Sequence, residues 1–233
     1  MESGSGPVHL ARVMTEVAAS LQTPMELSET LELITRAAAD TIPGVDEVSV
    51  SVTTREQKIE TLAPTHPLTT RADELQVAFG EGPCLEAALE EPVLACEDLA
   101  ADPRWPRYGP AAAELGFGAQ LAFQFRADPN IRGALNLYSW TSHGIDPEVW
   151  ELGALFAGQI ALAMGWARHT ETLHQALATR NLIGQAIGIV MERYRLDPDR
   201  AFAFLVRTSQ AGNIKVHDVA QGIVDQVIRE ADR

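Results

Sequence analysis

The feature that most constrains this chain is a stretch of about 48 residues, from Pro147 to about Arg195, with no convincing helix break. Asp146 can cap its start, and Pro147 fits the first turn of a helix. Steps of four and three residues along the stretch mark one seam of mostly apolar or small positions. The seam consists of Leu152, Phe156, Gln159, Ala163, Trp166, Thr170, Leu173, Leu177, Arg180, Gly184, Ile187 and Met191. A helix of this length would extend ~70 Å, more than one small domain can cover. The stretch therefore predicts a parallel coiled coil with a second copy of the chain, or two ordinary helices that meet near residues 168–170.

The residues before this stretch predict an α+β domain. Strict alternation over 47–53 predicts a half-buried strand whose Val48, Val50 and Val52 face a core. Helical patterns flank and separate the other predicted strands, which indicates an antiparallel sheet with flanking helices. These other strands are 59–63, 93–97, 120–126 and 131–139, with loop and short helix over 64–83 and irregular chain over 98–118.

Two shorter helices follow the long one, and with its end they predict a compact all-α module of three helices. We place the domains at 8–165 and 166–233, with one helix continuous between them. The net charge of −14 is divided unequally between the two parts. Residues 1–167 hold 24 acidic and 9 basic residues, whereas residues 168–233 hold 8 and 9. The net charge of the whole chain argues against broad, non-specific nucleic-acid binding, and the split predicts two modules with different partners.

The sequence offers no catalytic constellation. It contains no nucleophile elbow and no phosphate loop, and its six histidines have no metal-ligand spacing. Cys84 and Cys96 are interpreted as buried apolar residues or, alternatively, as a redox-sensing pair. No segment has the form of a secretion signal or of an uninterrupted membrane span. We therefore expect a cytoplasmic protein that is neither an enzyme nor a metal protein and has no membrane partner.

Two groups of side chains are candidates for binding. An aromatic group in the first domain is interpreted either as core or as the lining of a small-molecule pocket of unknown ligand. The pocket residues would be Trp105, Tyr108, Gln120, Phe123, Asn136 and Tyr138. In the tail, four hydrogen-bonding residues lie at and just after a predicted helix end, where they suit recognition of RNA base edges or form a plain helix cap. These are Thr208, Ser209, Gln210 and Asn213.

One set of tail residues occurs in a specific order and spacing: Arg180 to Arg193, Ala201-Phe202, Leu205, Ser209-Gln210, Asn213, Lys215-Val216 and Asp218-Val219-Ala220. In these residues the tail resembles the ANTAR domain, a three-helix RNA-binding module of bacterial transcription antiterminators. The first domain resembles a GAF sensor domain. Its matching segments are Glu81-Gly82-Pro83-Cys84-Leu85, Asp102-Pro103-Arg104-Trp105-Pro106 and Gly133-Ala134-Leu135-Asn136-Leu137-Tyr138.

The resemblance implies an α+β GAF domain, a long coiled-coil-like helix and a small all-α three-helix ANTAR domain. It implies a homodimer that binds tandem RNA stem-loops in leader transcripts and prevents formation of a terminator, under control of the GAF domain. Ala186 and Gly188 would leave the helix surface bare for close approach of RNA. The family often has a basic residue where this chain has Ile187, which predicts weaker binding. The implied RNA-binding residues are Arg180, Gln185, Ala186, Gly188, Arg207, Ser209, Gln210, Asn213 and Lys215.

Two other functions stay open at this point. One is a small-molecule or redox sensor whose C-terminal helices serve dimerisation or protein contacts. The other is a DNA-binding regulator, although residues 216–229 place no basic residue before Arg229 and would make a poor recognition helix.

Overall fold

A computed structural model describes residues 26–53, 59–89, 91–129, 131–142 and 145–231, together with Thr15 and Ala19. The chain divides into two compact units, which we call unit 1, up to Ala167, and unit 2, from Arg168 onwards. The start of the predicted first domain, residues 8–25, lies outside the described residues except for Thr15 and Ala19, both of which are helical.

Unit 1 is built around a five-stranded sheet. Its elements in chain order are α1 (Leu27–Thr41), β1 (Glu47–Thr53), β2 (Ile59–Leu62), α2 (Pro67–Phe79), α3 (Pro83–Leu89), β3 (Val93–Cys96), α4 (Tyr108–Glu114), β4 (Ala119–Asp128), β5 (Ile131–Ser139) and the first part of α5 (Pro147–Tyr194). The strand order is β2-β1-β5-β4-β3, and every neighbouring pair is antiparallel. The predicted α+β fold class, an antiparallel sheet with flanking helices, is confirmed.

Helices cover both faces of the sheet. On one face, Val48, Val50, Leu135 and Leu137 pack with apolar residues of α1 and α5. On the other face lie α2, α3 and α4, and here β1 presents Ser49, which is fully buried. The prediction of a half-buried strand at 47–53 is wrong, because a second layer of helices covers the side that alternation assigns to solvent.

Two of the covering helices differ from the sequence prediction. The sequence predicts irregular chain over 98–118, yet α4 forms within this span, with Tyr108 and Ala112 on its buried side. The span expected to hold loop and short helix contains the 13-residue helix α2. His66 caps it by accepting a hydrogen bond from the Leu68 N–H, and Gly80 ends it in the left-handed conformation, with φ 66°. These two helices place the buried polar residues described below.

Helix α5 agrees with its predicted bounds. The Asp146 carboxylate accepts a hydrogen bond from the Glu148 N–H at 3.0 Å, so this residue caps the helix start. Leu152, Phe156 and Ala163 are buried in the core of unit 1. These three residues of the predicted seam therefore pack inside their own chain and are not free to contact a second copy.

Other residues of α5 carry exposed apolar surface, namely Leu155, Leu162, Trp166, Leu173 and Leu177. Among the described helices, α5 alone is long and apolar enough to cross a membrane by length and composition, and 44% of its most apolar window is buried within the protein.

Unit 2 contains the end of α5, α6 (Pro198–Gly212) and α7 (Val216–Ala231). Asp197 caps α6 by accepting a hydrogen bond from the Arg200 N–H at 2.8 Å, and Pro198 occupies its first turn. A single apolar cluster holds the three helices together, which confirms the predicted three-helix module. Its fully buried members are Ala186, Val190, Ala201, Leu205, Val219 and Ala220.

Candidate nucleic-acid interface and buried polar cluster

Three of the predicted RNA-binding residues, Ser209, Gln210 and Asn213, lie in the last turn of α6 and directly after it. Asn213 adopts the left-handed conformation, with φ 49°, and its N–H donates to carbonyls at the end of α6. The Ser209 hydroxyl donates to the Ile214 carbonyl at 2.6 Å. These two residues therefore build the turn between α6 and α7. The Gln210 side chain is exposed and has no hydrogen-bond partner within the part of the chain that the structure describes.

Three of the predicted RNA-binding residues are cationic and exposed in unit 2: Arg180, Arg207 and Lys215. Other basic side chains nearby are paired, since Arg193 contacts Glu230 at 3.3 Å and Arg200 contacts Asp197 at 3.4 Å. Among the described residues, no carboxylate lies within ion-pair distance of Arg180, Arg207 or Lys215. Their charges are therefore available to phosphate groups.

The predicted residues of α5 fall on opposite sides of the helix. Ala186 is fully buried in the core of unit 2, so the prediction that it bares the helix surface for RNA is wrong. Its small side chain serves helix packing instead. Gln185 and Gly188 are exposed, and a Cβ added at Gly188 would meet nothing within 4 Å. Gly188 thus leaves open space outside the helix.

An apolar groove lies beside α5 in unit 2 and has a volume of about 650 Å³. Its walls include Ile183, Gly184 and Ile187 of α5 and Phe202 of α6. Phe202 is 46% exposed, a large fraction for a phenylalanine in a folded domain. Ile187, where the family often has a basic residue, is half-buried here and belongs to this groove.

Unit 1 holds a buried polar cluster centred on Asp73 of α2, whose carboxylate is fully buried. It accepts hydrogen bonds from the hydroxyls of Tyr138 at 2.5 Å, Ser49 at 2.8 Å and Thr61 at 3.0 Å. Asn136 Nδ2 also donates to it, at 3.3 Å. Gln76 Nε2 is a fifth donor, at 3.5 Å. All of these donors are uncharged, so burial dominates and raises the pKa of Asp73 from its usual 3.8 to about 6.

Most of the predicted pocket residues surround this cluster. Tyr108 donates to Gln120 Oε1 at 2.5 Å, and Trp105 Nε1 donates to Glu86 at 2.6 Å. Gln120 Nε2 and Asn136 Oδ1 are buried without a hydrogen-bond partner among the described residues, which is unusual for polar atoms inside a protein.

Phe123 does not join this group. It lies on the opposite face of the sheet, where its ring contacts α5 near Trp150 and Gly153. Successive strand residues point to opposite faces, and Phe123 is three positions from Gln120 on β4. The sequence therefore places Phe123 with Leu121 and Phe125, and its inclusion in the pocket is wrong.

Family comparisons match two separate parts of the chain. A model of the GAF domain matches residues 24–165, and a model of the ANTAR domain matches residues 171–224. The chain is a GAF–ANTAR protein. No curated protein matches it in sequence.

Several solved structures share the GAF fold. One is the GAF domain of a phosphoenolpyruvate-protein phosphotransferase from Coxiella burnetii, with 16% identity and a TM-score of 0.56 over 71% of this chain and 98% of that one. Another is free methionine-R-sulfoxide reductase from Neisseria meningitidis in complex with its substrate, with 13% identity and a TM-score of 0.57 over 73% and 98% of the two chains. The phycoerythrobilin-bound GAF domain of a cyanobacterial phytochrome is 14% identical, with a TM-score of 0.55 over 69% and 96%.

Sequence reasoning missed part of the polar cluster in the GAF domain. Asp73 and Gln76 lie on α2, a region interpreted as loop and short helix, so their burial was not foreseen. One signal was available: Ser49 and Ser51 alternate with the core valines of β1, and small hydroxyl residues there fit a second buried layer.

Neither cysteine of the GAF domain has the properties of a reactive thiol. Cys84 and Cys96 are both buried and unpaired. Burial raises the pKa of the Cys84 thiol far above its usual range and that of Cys96 to about 12. Disulfide exchange requires the thiolate, so the structure favours their interpretation as buried apolar residues. The described residues also contain no cluster of three or more potential metal ligands.

Proposed function

We propose that this GAF–ANTAR protein is a signal-responsive, RNA-binding transcription antiterminator, acting in the cytoplasm without catalytic activity of its own. In this proposal a homodimer binds paired RNA hairpins through the ANTAR domains, and the GAF domain controls that binding. The ANTAR match over residues 171–224 carries the proposal, because ANTAR domains are RNA-binding antiterminator modules.

The chemistry at the end of α6 supports RNA binding. Arg207 and Lys215 lie on either side of the α6–α7 turn and offer unpaired positive charge. The exposed Gln210 amide beside them can both donate to and accept from base edges. A DNA-binding role is less well supported, because α7 has no basic residue before Arg229 to read a major groove.

The exposed apolar surface of unit 2 supports the homodimer. Leu173 and Leu177 are each at least 50% exposed and lie four residues apart on α5. Ile183 and Ile187 continue the apolar surface along the same helix as walls of the groove. A second copy of α5 packed in parallel would cover these residues, as in a coiled coil.

The buried polar cluster supports a sensing role for the GAF domain. Gln120 Nε2 and Asn136 Oδ1 have no hydrogen-bond partner among the described residues. The same Asn136 side chain donates to Asp73, a carboxyl group that can be neutral or charged near physiological pH. A small polar molecule that reached this layer would find donors and acceptors on an aromatic background.

A mobility-shift experiment tests RNA binding. The full chain is titrated into a tandem-hairpin RNA, a single hairpin and a duplex DNA of equal length. We expect preference for the tandem RNA, with affinity that falls as salt rises. Replacing Arg207 and Lys215 together by alanine should abolish the shift without unfolding the chain.

The matched control is the double variant Arg36→Ala/Arg71→Ala. These two arginines are exposed in unit 1 and form only i,i+4 and i,i+3 ion pairs, so the variant makes the same change in net charge. If both double variants weaken RNA binding equally, the effect is one of overall charge and the assigned RNA surface is wrong.

Light scattering tests the dimer. Leu173→Asn combined with Leu177→Asn should convert the dimer to a monomer, whereas Val77→Asn, at an exposed apolar position of α2, should not. A monomeric unaltered chain would contradict the proposal.

The second candidate function is a sensor whose C-terminal helices contact only protein. The near-neutral charge of residues 168–233 favours it. This second candidate predicts no mobility shift with any nucleic acid at any salt concentration, whereas dimerisation would persist.

A further inference from the structure

A second hollow of unit 2 lies between its three helices and has a volume of about 370 Å³. We call it the three-helix cleft. Tyr194 of α5, Phe204 and Thr208 of α6, and Asp218 and Gly222 of α7 are among its lining residues. It is distinct from the apolar groove, which faces the seam of α5 and shares none of these residues.

The cleft has an aromatic wall that is partly open to solvent. Tyr194 is 53% exposed, and its ring centroid lies 5.4 Å from that of Phe204, with 33° between the two planes. The lining also includes Gly222, where a Cβ would meet nothing within 4 Å. A partly exposed aromatic ring and a residue without a side chain in the same cleft leave space for a flat ring.

Polar groups at the edge of the cleft can recognise such a ring. The Asp218 carboxylate accepts from His217 Nδ1 at 3.1 Å through one oxygen, which leaves its other oxygen available. Gln226 donates to Glu230 at 2.8 Å, so its Oε1 stays available as an acceptor. Both acceptors suit the amino and imino N–H groups on the edge of a nucleobase.

Basic residues occur in the lining of the cleft and next to it in sequence. Arg193 is a lining residue that contacts Glu230, and Arg195, Arg207 and Lys215 each directly neighbour a lining residue in sequence. Arg207 also follows Phe204 by three residues on α6, so the two lie on the same side of the helix. Among the described residues, Arg195, Arg207 and Lys215 form no ion pair, which leaves three cations to contact phosphates next to a bound base.

We propose that the three-helix cleft receives one unstacked base of an RNA loop, with Tyr194 as its stacking surface. The inference rests on the proposed RNA-binding function and specifies how sequence is read. Single-stranded loops are recognised by splaying out bases, stacking them on aromatic side chains and hydrogen bonding to their edges. The turn at Ser209–Ile214 adjoins the cleft, so the exposed Gln210 and the cleft contact neighbouring nucleotides.

The experiment uses the full chain and one tandem-hairpin RNA. This RNA is the member of a pool with randomised loops that binds the protein most tightly. Each loop nucleotide of that RNA is then replaced in turn by an abasic nucleotide. We expect one position in the loop at which removal of the base weakens binding about tenfold, the effect of losing one base–aromatic stack.

The protein variants either fill the cleft with a side chain or remove its aromatic stacking surface. Gly222→Leu places a side chain in open space within it and should weaken binding of the intact RNA about tenfold. It should cause no further loss with the RNA that lacks the critical base, because both changes remove the same contact. Tyr194→Leu should act like Gly222→Leu, whereas Tyr194→Phe keeps the stacking face and should bind normally.

Gly158→Leu is the matched control. Gly158 is an exposed helical glycine of unit 1, and a Cβ there also meets nothing within 4 Å. Equal losses for Gly222→Leu on intact and abasic RNA, or no loss at all while RNA still binds, would overturn this inference and leave the proposed function standing. Failure of the unaltered chain to select any RNA from the pool would overturn both.

Discussion

The two domains distribute their polar chemistry in opposite ways. The GAF domain buries it: Asp73, Asn136 and Gln120 lie fully inside, among large aromatic residues. The ANTAR domain keeps its interior small and apolar, since three of its six fully buried residues are alanines. Its Gln210, Arg207 and Lys215 are exposed. A sensor must transmit an event inside its core, whereas a recognition module must leave its outer surface free.

This difference determines what a substitution can change. In the GAF domain, a change of polar residue alters stability directly, because a buried polar group has few alternative partners. In the ANTAR domain, the residues that hold the helices together are separate from those that would contact RNA. Stability and binding should therefore be separable in the ANTAR domain and coupled in the GAF domain.

The largest expected effect is from Leu205→Ala in the core of the ANTAR domain. Leu205 is fully buried, so the cavity should cost about 4 kcal/mol of unfolding free energy. All four tryptophans lie in unit 1, at 105, 140, 150 and 166. For Leu205→Ala, the unfolding transition followed by helical circular dichroism should therefore come earlier. The midpoint of unfolding followed by tryptophan fluorescence should stay the same.

The matched variant is Leu135→Ala in the sheet of the GAF domain, where Leu135 is also fully buried. This variant should move the unfolding transition followed by tryptophan fluorescence to an earlier midpoint. If Leu205→Ala moves both signals together, the two domains unfold as one cooperative unit and the comparison between them fails.

A smaller effect, with a defined pH dependence, is expected at Asp73. Its pKa in the folded protein is about 6 against the usual 3.8, so the folded state binds the proton more tightly. Below pH ~4 the carboxyl is protonated in both states, and between about pH 4 and 6 unfolding releases a proton. As pH rises through this range, the free energy of unfolding of the unaltered protein should therefore fall by about 3 kcal/mol relative to that of Asp73→Asn. Urea unfolding at several pH values measures this difference.

Asp102→Asn tests a carboxylate of the same domain whose pKa is lowered instead of raised. Arg104 contacts Asp102 at 2.5 Å and lowers its pKa to about 2. The stability that this carboxylate provides should be present above pH ~4 and lost as pH falls toward 2. A difference for Asp73→Asn that is flat with pH, or that has the same sign as for Asp102→Asn, would contradict the burial argument.

The long helix and the sheet were predictable because their signals are local. Capping by Asp146 and Pro147 and the alternation in β1 require only neighbouring residues. The second helical layer of the GAF domain was not predictable in this way. Helix α4 is seven residues long, and its buried side is decided by packing with residues far away in sequence, such as Ala72 and Tyr138.

The same limit explains the errors at the candidate sites. Ala186 and Gly188 are both small and two residues apart, so the sequence gives them one role. A step of two turns a helix by about 200°, which puts Ala186 in the core and Gly188 outside. Ser209 and Asn213 suit base recognition by residue type, but their turn contacts appear only once α6 and α7 are in place.

The smallest expected effect distinguishes the two roles of a small residue on α5. Gly188→Ala adds a methyl group in open space and should stabilise the ANTAR domain by up to about 1 kcal/mol through helix propensity. Gly158→Ala is matched, because Gly158 is another exposed glycine of the same helix with nothing within 4 Å of an added Cβ, and it lies outside the apolar groove. Both variants should unfold at slightly higher urea concentration. If RNA approaches the helix closely at Gly188, only Gly188→Ala should also weaken RNA binding. Equal RNA affinities for the two variants would remove Gly188 from the RNA surface and leave recognition to α6, α7 and the turn between them.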